Sequence, residues 1–124
     1  MSGFDPELVE LLHRTKVVEI ETSRSAGGEV RSTVIWVVVD VDGRALVRSV
    51  RGQRGRWYRD LLANPDGALR VGRRRIPVHA DPADEGAIAA CTDALRAKYA
   101  SSRGSLASMI RDEVLRTTLV LAPA

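Results

Sequence analysis

The chain has 124 residues, enough for one domain with a single core and too few for two. Its hydrophobic residues, 44% of the chain, fall in short runs, and its start lacks a basic segment followed by an apolar one; we expect a cytoplasmic protein with no membrane span or secretory signal. The net charge of +3 comes almost wholly from arginine, which suits anionic ligands but is also the bias of arginine-rich genomes.

The N-terminal part of the chain predicts a helix and then a strand. Asp5-Pro6-Glu7 is typical of a helix N-terminus, because aspartate caps free backbone amides and proline tolerates the first turn. We therefore assign residues 1–15 to an N-terminal helical segment and residues 16–124 to the rest of a single domain. Residues 17–22 alternate between apolar and acidic, which predicts a strand.

The next segment predicts a hairpin. The run 30–41 is apolar on both faces, which predicts one central strand with Trp36 in the core. Asp42-Gly43 favours a tight turn, because glycine tolerates the positive φ that such turns require. Residues 45–47 then return as an antiparallel partner.

The second half of the chain predicts a helix over 55–63 and a second hairpin around Gly72, with strands at 68–71 and 75–80. Proline cannot donate a ladder hydrogen bond, so Pro77 places its strand at a sheet edge or a bulge.

The last part of the chain predicts a longer helix that is started by residues 81–85, in which Cys91 lies on the apolar face as a small buried group. A short helical segment and a final strand over 115–121 follow. As the single cysteine, Cys91 excludes an intrachain disulfide and a cysteine-rich zinc site.

The element count indicates a mostly β (α+β) domain, a small antiparallel barrel of about six strands with flanking helices. Hairpins join most of the strands, and βαβ alternation is missing. Neither a GxGxxG run nor a GxxxxGK[ST] run is present, so dinucleotide-binding and P-loop folds are not predicted.

The loop after the first hairpin carries the best candidate for a ligand site. Within Arg48-Ser49-Val50-Arg51-Gly52, a hydroxyl, guanidinium groups and a glycine suit a phosphate. The adjacent Trp57-Tyr58 would cover a planar ligand, although one of these neighbours is expected in the core. The alternative is an arginine-rich loop that only caps the hairpin.

Other candidates are weaker. Four arginines between Arg70 and Arg75 surround a turn, but no aromatic residues interleave them, so a solvated turn is favoured over a nucleic-acid surface. His79 has no neighbouring ligand set, so no metal site is predicted. No serine-histidine-acid order and no carboxylate pair stands out.

The order of several weak motifs resembles the FMN-binding split-barrel superfamily, which includes pyridoxamine-phosphate-oxidase-like proteins and deazaflavin-dependent nitroreductases. The matching residues, in order, are Arg31, Ser49, Arg51, Gly52, Trp57, Tyr58, Asn64 and Pro65. Lys98-Tyr99 and Thr117-Thr118-Leu119 are closer to a small uncharacterised bacterial branch. The chain departs from the nitroreductases in two loop lysines: Arg24 is the nearest counterpart of the first, and Arg51, preceded by an inserted Val50, replaces the second.

The resemblance implies a split barrel that acts as a homodimeric oxidoreductase with FMN or a deazaflavin, on a small-molecule substrate that the sequence does not identify. Tyr58 or Tyr99 is a candidate proton relay. The cofactor-binding residues would be Arg31, Ser32, Arg48, Ser49, Arg51, Gly52, Trp57 and Tyr58. The alternative is a split barrel that binds a small molecule or a partner without redox turnover and possesses no cofactor.

Overall fold

The computed structural model describes residues 3–124; Met1 and Ser2, the first residues of the predicted N-terminal segment, lie outside the described residues. The elements in chain order are α1 Pro6–Arg14, β1 Val18–Thr22, β2 Arg31–Ile35, β3 Val38–Val39, β4 Ala45–Arg48, a 3₁₀ turn Gly52–Arg54, α2 Arg56–Ala63, β5 Asp66–Val71, β6 Arg74–Pro82, α3 Glu85–Lys98, α4 Arg103–Ile110, α5 Asp112–Leu115 and β7 Thr118–Pro123.

Within the described residues, seven strands form one antiparallel sheet in the order β2-β1-β5-β6-β7-β4-β3. The two edge strands, β2 and β3, follow each other in the chain, separated by Trp36 and Val37 alone. So short a connection brings the two edges close together, which curls the sheet into a half-barrel. The predicted α+β split barrel is confirmed, with seven strands where about six were expected.

The prediction of one central strand over 30–41 is wrong. Strand pairing stops at Ile35 and resumes at Val38. The two halves of the run, β2 and β3, therefore lie at opposite edges of the sheet. Both faces of the run are nevertheless apolar because Ile35 and Val37 enter the barrel interior, while Val38 packs against α3 on the outside. The apolar pattern on both faces therefore arises because this segment contributes side chains to two separate core clusters.

Both predicted hairpin turns are confirmed. Gly43 has φ +80° and Gly72 has φ +60°, the left-handed region that favours glycine. In the first turn, the buried Asp40 carboxylate accepts from the amides of Asp42 and Arg44, each at 2.9 Å. The β3–β4 hairpin is therefore held by local chemistry.

Pro77 lies on an interior strand, so the edge assignment is wrong. β6 runs between β5 and β7, but its pairing with β7 begins only at Val78. At Pro77 the strand has a single partner, and the proline carbonyl accepts from the Ala124 amide at 3.1 Å. The backbone N–H that Pro77 lacks would therefore fall just beyond the end of β7.

The helices close two apolar clusters, one on each face of the sheet. Inside the barrel, the fully buried Leu12 of α1 and Leu61 of α2 pack with the sheet. On the other face, Cys91 and Leu95 of α3 and the C-cap residue Tyr99 cover β3 and β4. Cys91 is buried as predicted, and burial raises the pKa of its thiol to about 11. Among residues 3–124, no helix combines the length and apolar character needed to cross a bilayer.

Candidate functional site

A pocket of about 510 Å³ lies where the barrel is split, beside the β2 edge. One wall consists of residues 33–36 with Val17. A second wall consists of residues 48–51 and residues 55–57, which end β4 and begin α2. The side chains of Ser105, Ser108 and Met109 on α4 complete the lining.

Of the residues predicted to bind a cofactor, Arg48, Ser49, Arg51 and Trp57 line this pocket. Arg31, Ser32, Gly52 and Tyr58 do not. The loop that the sequence singled out therefore reaches the pocket, whereas the strand residues before it face other surroundings.

Arg31 and Ser32 are engaged elsewhere. The half-buried Arg31 donates from Nη2 to Asp60 Oδ1 at 2.6 Å, and Asp60 is fully buried on α2. The Thr22 hydroxyl donates to the same carboxylate at 2.9 Å. Ser32 lies on the outer face of β2, where its hydroxyl donates to Glu19 at 2.6 Å. The Arg31 pair therefore ties β2 to α2.

Ser49 and Gly52 shape the loop. The buried Ser49 hydroxyl donates to the Gly52 carbonyl at 2.8 Å, so its single proton is not available to a ligand. Gly52 has φ +65° and is buried. A Cβ at Gly55 would fall inside contact distance of Ser49 Oγ. The turn thus depends on a close approach between a serine and a glycine.

Arg48 is buried rather than exposed in the loop, with 2% of its surface accessible. Its guanidinium donates to the Thr118 hydroxyl at 2.8 Å and to the Thr92 hydroxyl, the Met109 carbonyl and the Ile88 carbonyl, each at 3.0 Å. All four acceptors are uncharged, and burial lowers the pKa of Arg48. Because these contacts occupy four of its five donors, Arg48 acts chiefly as a structural link among β4, β7, α3 and α4.

The available positive charge at the pocket comes from Arg51 and Arg56, both exposed. Neither forms an ion pair with any residue that the structure describes. Helix α2 begins at Arg56, and its N-cap residue Gly55 offers no side-chain cap, so the amides of the first turn have no intrahelical partner. With no Asp or Glu among the described lining residues, this end of the pocket suits an anion.

The aromatic residues of the pocket are Trp36 and Trp57, so only one of the two predicted residues lines it. Trp57 and Tyr58 are 7% and 8% exposed and belong to the barrel core, and burial raises the pKa of Tyr58. Trp36, predicted to be core, is partly buried and lines the pocket. The prediction that Trp36 is a core residue was wrong because strand pairing is interrupted at this residue. Its side chain therefore lies at the split between the two edge strands.

Sequence reasoning also missed Arg56 and the α4 wall. Arg56 lies in the first turn of a predicted helix and next to Trp57, so its place at the site could have been inferred from the sequence. Ser105, Ser108 and Met109 follow in the chain more than fifty residues after the loop, as the numbering shows. No local signal linked them to it.

The remaining charged candidates form surface contacts. Arg70 and Arg75 both pair with Glu21, and the His79 ring contacts Asp66 at 2.9 Å, which raises the pKa of His79. Among residues 3–124, no group of three His, Cys, Asp or Glu side chains is placed to hold a metal ion.

The architecture is shared with solved structures. The F420-H2-dependent reductase FDR-A matches with a TM-score of 0.64 and 15% identity, over 88% of this chain and 95% of that one. The heme storage protein HutZ from Vibrio cholerae matches with a TM-score of 0.63 and 14% identity, over 98% and 91% of the two chains. A third chain, described as a domain-swapped dimer, gives a TM-score of 0.63 and 15% identity, over 89% and 81%. Identities this low establish the fold alone.

No curated protein matches the chain. A family model does: residues 8–121 match the model of a family described as an uncharacterized protein conserved in bacteria, DUF2255. This match confirms the expected relationship to a small uncharacterised bacterial group, and since it covers nearly the whole chain, the protein belongs to the DUF2255 family.

Proposed function

We propose that the pocket binds FMN or a deazaflavin and that the protein is an oxidoreductase acting on a small molecule not yet identified. The observation that carries the proposal is the composition of the pocket. Arg51, Arg56 and the uncapped start of α2 favour an anion, while residues 33–36 offer an apolar and aromatic wall. A planar ring with a phosphate tail has this division of chemistry.

The residues present fit such a group. Arg51 and Arg56 are free to donate charge-assisted hydrogen bonds to phosphate oxygens, and the amides of Arg56 and Trp57 add uncharged donors. The volume of about 510 Å³ lies within the range of small-molecule sites, about 300–1,000 Å³. Arg31 and Ser49, both predicted phosphate ligands, leave the proposal. Arg31 does not line the pocket and pairs with Asp60, and the Ser49 hydroxyl proton is donated to the Gly52 carbonyl.

Heme is a second cofactor type to consider, because one structural neighbour is a heme storage protein. Heme iron is held in proteins by histidine, cysteine, methionine or tyrosine. The described lining residues include no His, Cys or Tyr, and the one methionine, Met109, is 6% exposed in the core. The donor set therefore favours a phosphate-bearing cofactor over heme.

The protein's own contribution is binding and orientation. When bound, a flavin or deazaflavin supplies hydride transfer. Arg51 and Arg56 hold the anionic tail, and the β2 wall excludes water from the ring. The predicted proton relays fall outside the pocket: Tyr99 donates its hydroxyl proton to the Lys16 carbonyl at 2.6 Å, and burial raises its pKa to about 12.

One observation favours the alternative, a binding protein without redox turnover. The described lining residues include no His, Cys, Tyr, Lys, Asp or Glu, so the chain itself provides no proton donor or acceptor near neutral pH beside a bound ring. Turnover would then require that the substrate exchange its proton directly with solvent and not with a side chain of the pocket. Steady-state assays with bound cofactor and artificial electron acceptors separate the two functions, since the alternative predicts binding without turnover.

The proposal includes a homodimer. Val17, Val34 and Val50 are 49%, 64% and 45% exposed, and all three border the pocket. Strand β2 is an edge strand with one side unpaired. A second copy placed against this edge would bury the valines and narrow the pocket mouth. A single-chain mass in sedimentation equilibrium at micromolar concentration would contradict this part of the proposal.

Replacing Arg51 with alanine tests the phosphate site. The change removes a charge-assisted contact, so we expect FMN or reduced deazaflavin to bind about 1.5–3 kcal/mol more weakly in isothermal titration. Arg73→Ala is the matched control, because Arg73 is also exposed but lies in the β5–β6 turn, outside the pocket. Equal weakening by both variants would indicate a nonspecific charge effect, and unchanged affinity in Arg51→Ala would reject Arg51 as a phosphate ligand.

A further inference from the structure

We propose that Trp36, backed by Tyr99, is the platform on which the planar ring of the cofactor stacks. The inference rests on the proposed function and deepens it, since it identifies the residue that selects for a ring. It replaces the pair Trp57 and Tyr58, which the sequence favoured for that role.

Trp36 lies in the two-residue connection between β2 and β3, the two edge strands of the half-barrel. The chain leaves β2 at Ile35 and enters β3 at Val38, on the opposite edge of the sheet. Its indole is partly buried and lines the pocket. Trp57 also lines the pocket, but it is 7% exposed and packed in the barrel core against Tyr58, so little of its ring is accessible.

The indole of Trp36 is presented with one face covered. The rings of Trp36 and Tyr99 stack with centroids 3.7 Å apart and planes 1° from parallel. Tyr99 does not line the pocket, so the indole atoms that do belong to the other face or to the ring edge. A ligand ring entering from the pocket would continue the stack.

The support beneath Trp36 is fixed before any ligand arrives. Tyr99 is 1% exposed, and its hydroxyl donates to the Lys16 carbonyl at 2.6 Å. The neighbouring Lys98 ammonium donates to the Leu12 and Val37 carbonyls at 2.8 and 2.7 Å, which ties α3 to α1 and to the residue after Trp36. An aromatic surface that is already immobilised loses little entropy on binding.

The stacking geometry indicates the electronic character of the partner. Aromatic pairs prefer offset or edge-to-face arrangements over a face-to-face sandwich, because the negative faces of two electron-rich rings repel. Here two electron-rich rings are held nearly face to face. An electron-poor heteroaromatic ring, such as an oxidised flavin, gains from stacking on such a surface, whereas an aliphatic ligand does not.

The test compares variants of the two tryptophans with two probes. FMN carries both the ring and the phosphate, and ribose 5-phosphate carries the phosphate without the ring. We expect Trp36→Ala to weaken FMN binding about tenfold or more, in line with the loss of a stacking contact, and to leave ribose 5-phosphate binding unchanged. Trp36→Phe keeps an aromatic face and should remain within about threefold of the wild type.

Trp57→Phe tests the competing assignment through the fluorescence of bound FMN, because a stacked tryptophan quenches a flavin and a phenylalanine does not. We expect Trp57→Phe to relieve less of the quenching than Trp36→Phe. Unchanged ribose 5-phosphate binding shows that Trp36→Ala still has a formed pocket. Wild-type FMN affinity in Trp36→Ala, or a greater relief of FMN quenching in Trp57→Phe than in Trp36→Phe, would overturn the platform assignment while leaving the proposed function standing. Failure of the wild type to bind either FMN or reduced deazaflavin would overturn both.

Discussion

Arg48→Ala is expected to lower the free energy of unfolding by about 2–4 kcal/mol, since it empties a buried volume and leaves the Met109 carbonyl without its donor. The guanidinium bridges four elements through four uncharged acceptors, and the side chain is 2% exposed. Arg48 has no ion-pair partner among the described residues, so removing this buried cation also relieves a desolvation cost. The loss of stability should therefore be smaller than that caused by truncating a large apolar core residue.

Chemical denaturation followed by circular dichroism measures this effect. Arg48→Met is the matched variant, because it retains most of the aliphatic volume while removing the charge and the donors. We expect Arg48→Met to lie between the wild type and Arg48→Ala, since apolar replacement of buried charges is often well tolerated. A stability for Arg48→Ala within about 0.5 kcal/mol of the wild type, the range of ordinary surface changes, would contradict the structural role.

Gly55→Ala is expected to destabilise the protein by about 2–4 kcal/mol, combining overpacking with the loss of a buried hydrogen bond. The new Cβ would fall inside contact distance of Ser49 Oγ, which is buried and donates to the Gly52 carbonyl. Backbone strain does not contribute, because Gly55 has φ −60°. The same change displaces the loop that carries Arg51, so cofactor affinity should fall together with stability.

A double-mutant cycle isolates the clash. Ser49→Ala removes the oxygen, after which the nearest atoms to the added Cβ, Ser49 Cβ and the Gly52 oxygen, both lie at 3.4 Å, close to ordinary contact. Ser49→Ala/Gly55→Ala should therefore be more stable than Gly55→Ala alone, with a favourable coupling energy of about 1–3 kcal/mol in thermal or urea unfolding. Additive effects of the two single changes would rule out the proposed contact.

Local signals in the sequence account for much of the fold. Asp42-Gly43 and Gly72 predicted two hairpins, and the spacing around Cys91 predicted the buried face of α3; all three are confirmed. The break at Trp36 had no such signal. Neither glycine nor proline occurs between Val30 and Val41, and the segment is apolar on both faces because it joins two cores.

The site was only partly predictable for a related reason. The sequence located the loop around Arg51, because loop chemistry is local. It did not show that Arg48, three residues earlier, lies buried among α3, α4 and β7, since arginine is seldom fully buried and its acceptors come from distant segments. The exposed surface of Trp36 likewise depends on where two sheet edges end, which is a tertiary property.

We propose that the pocket beside β2 receives a planar anion, with its charged end at the start of α2. Titrating ¹⁵N-labelled protein with FMN and following amide and indole resonances tests this directly. We expect the largest shifts at the amides of residues 51–57 and at the indole N–H of Trp36. Shifts centred on the arginine turn at residues 73–75, with residues 51–57 and Trp36 unchanged, would contradict it.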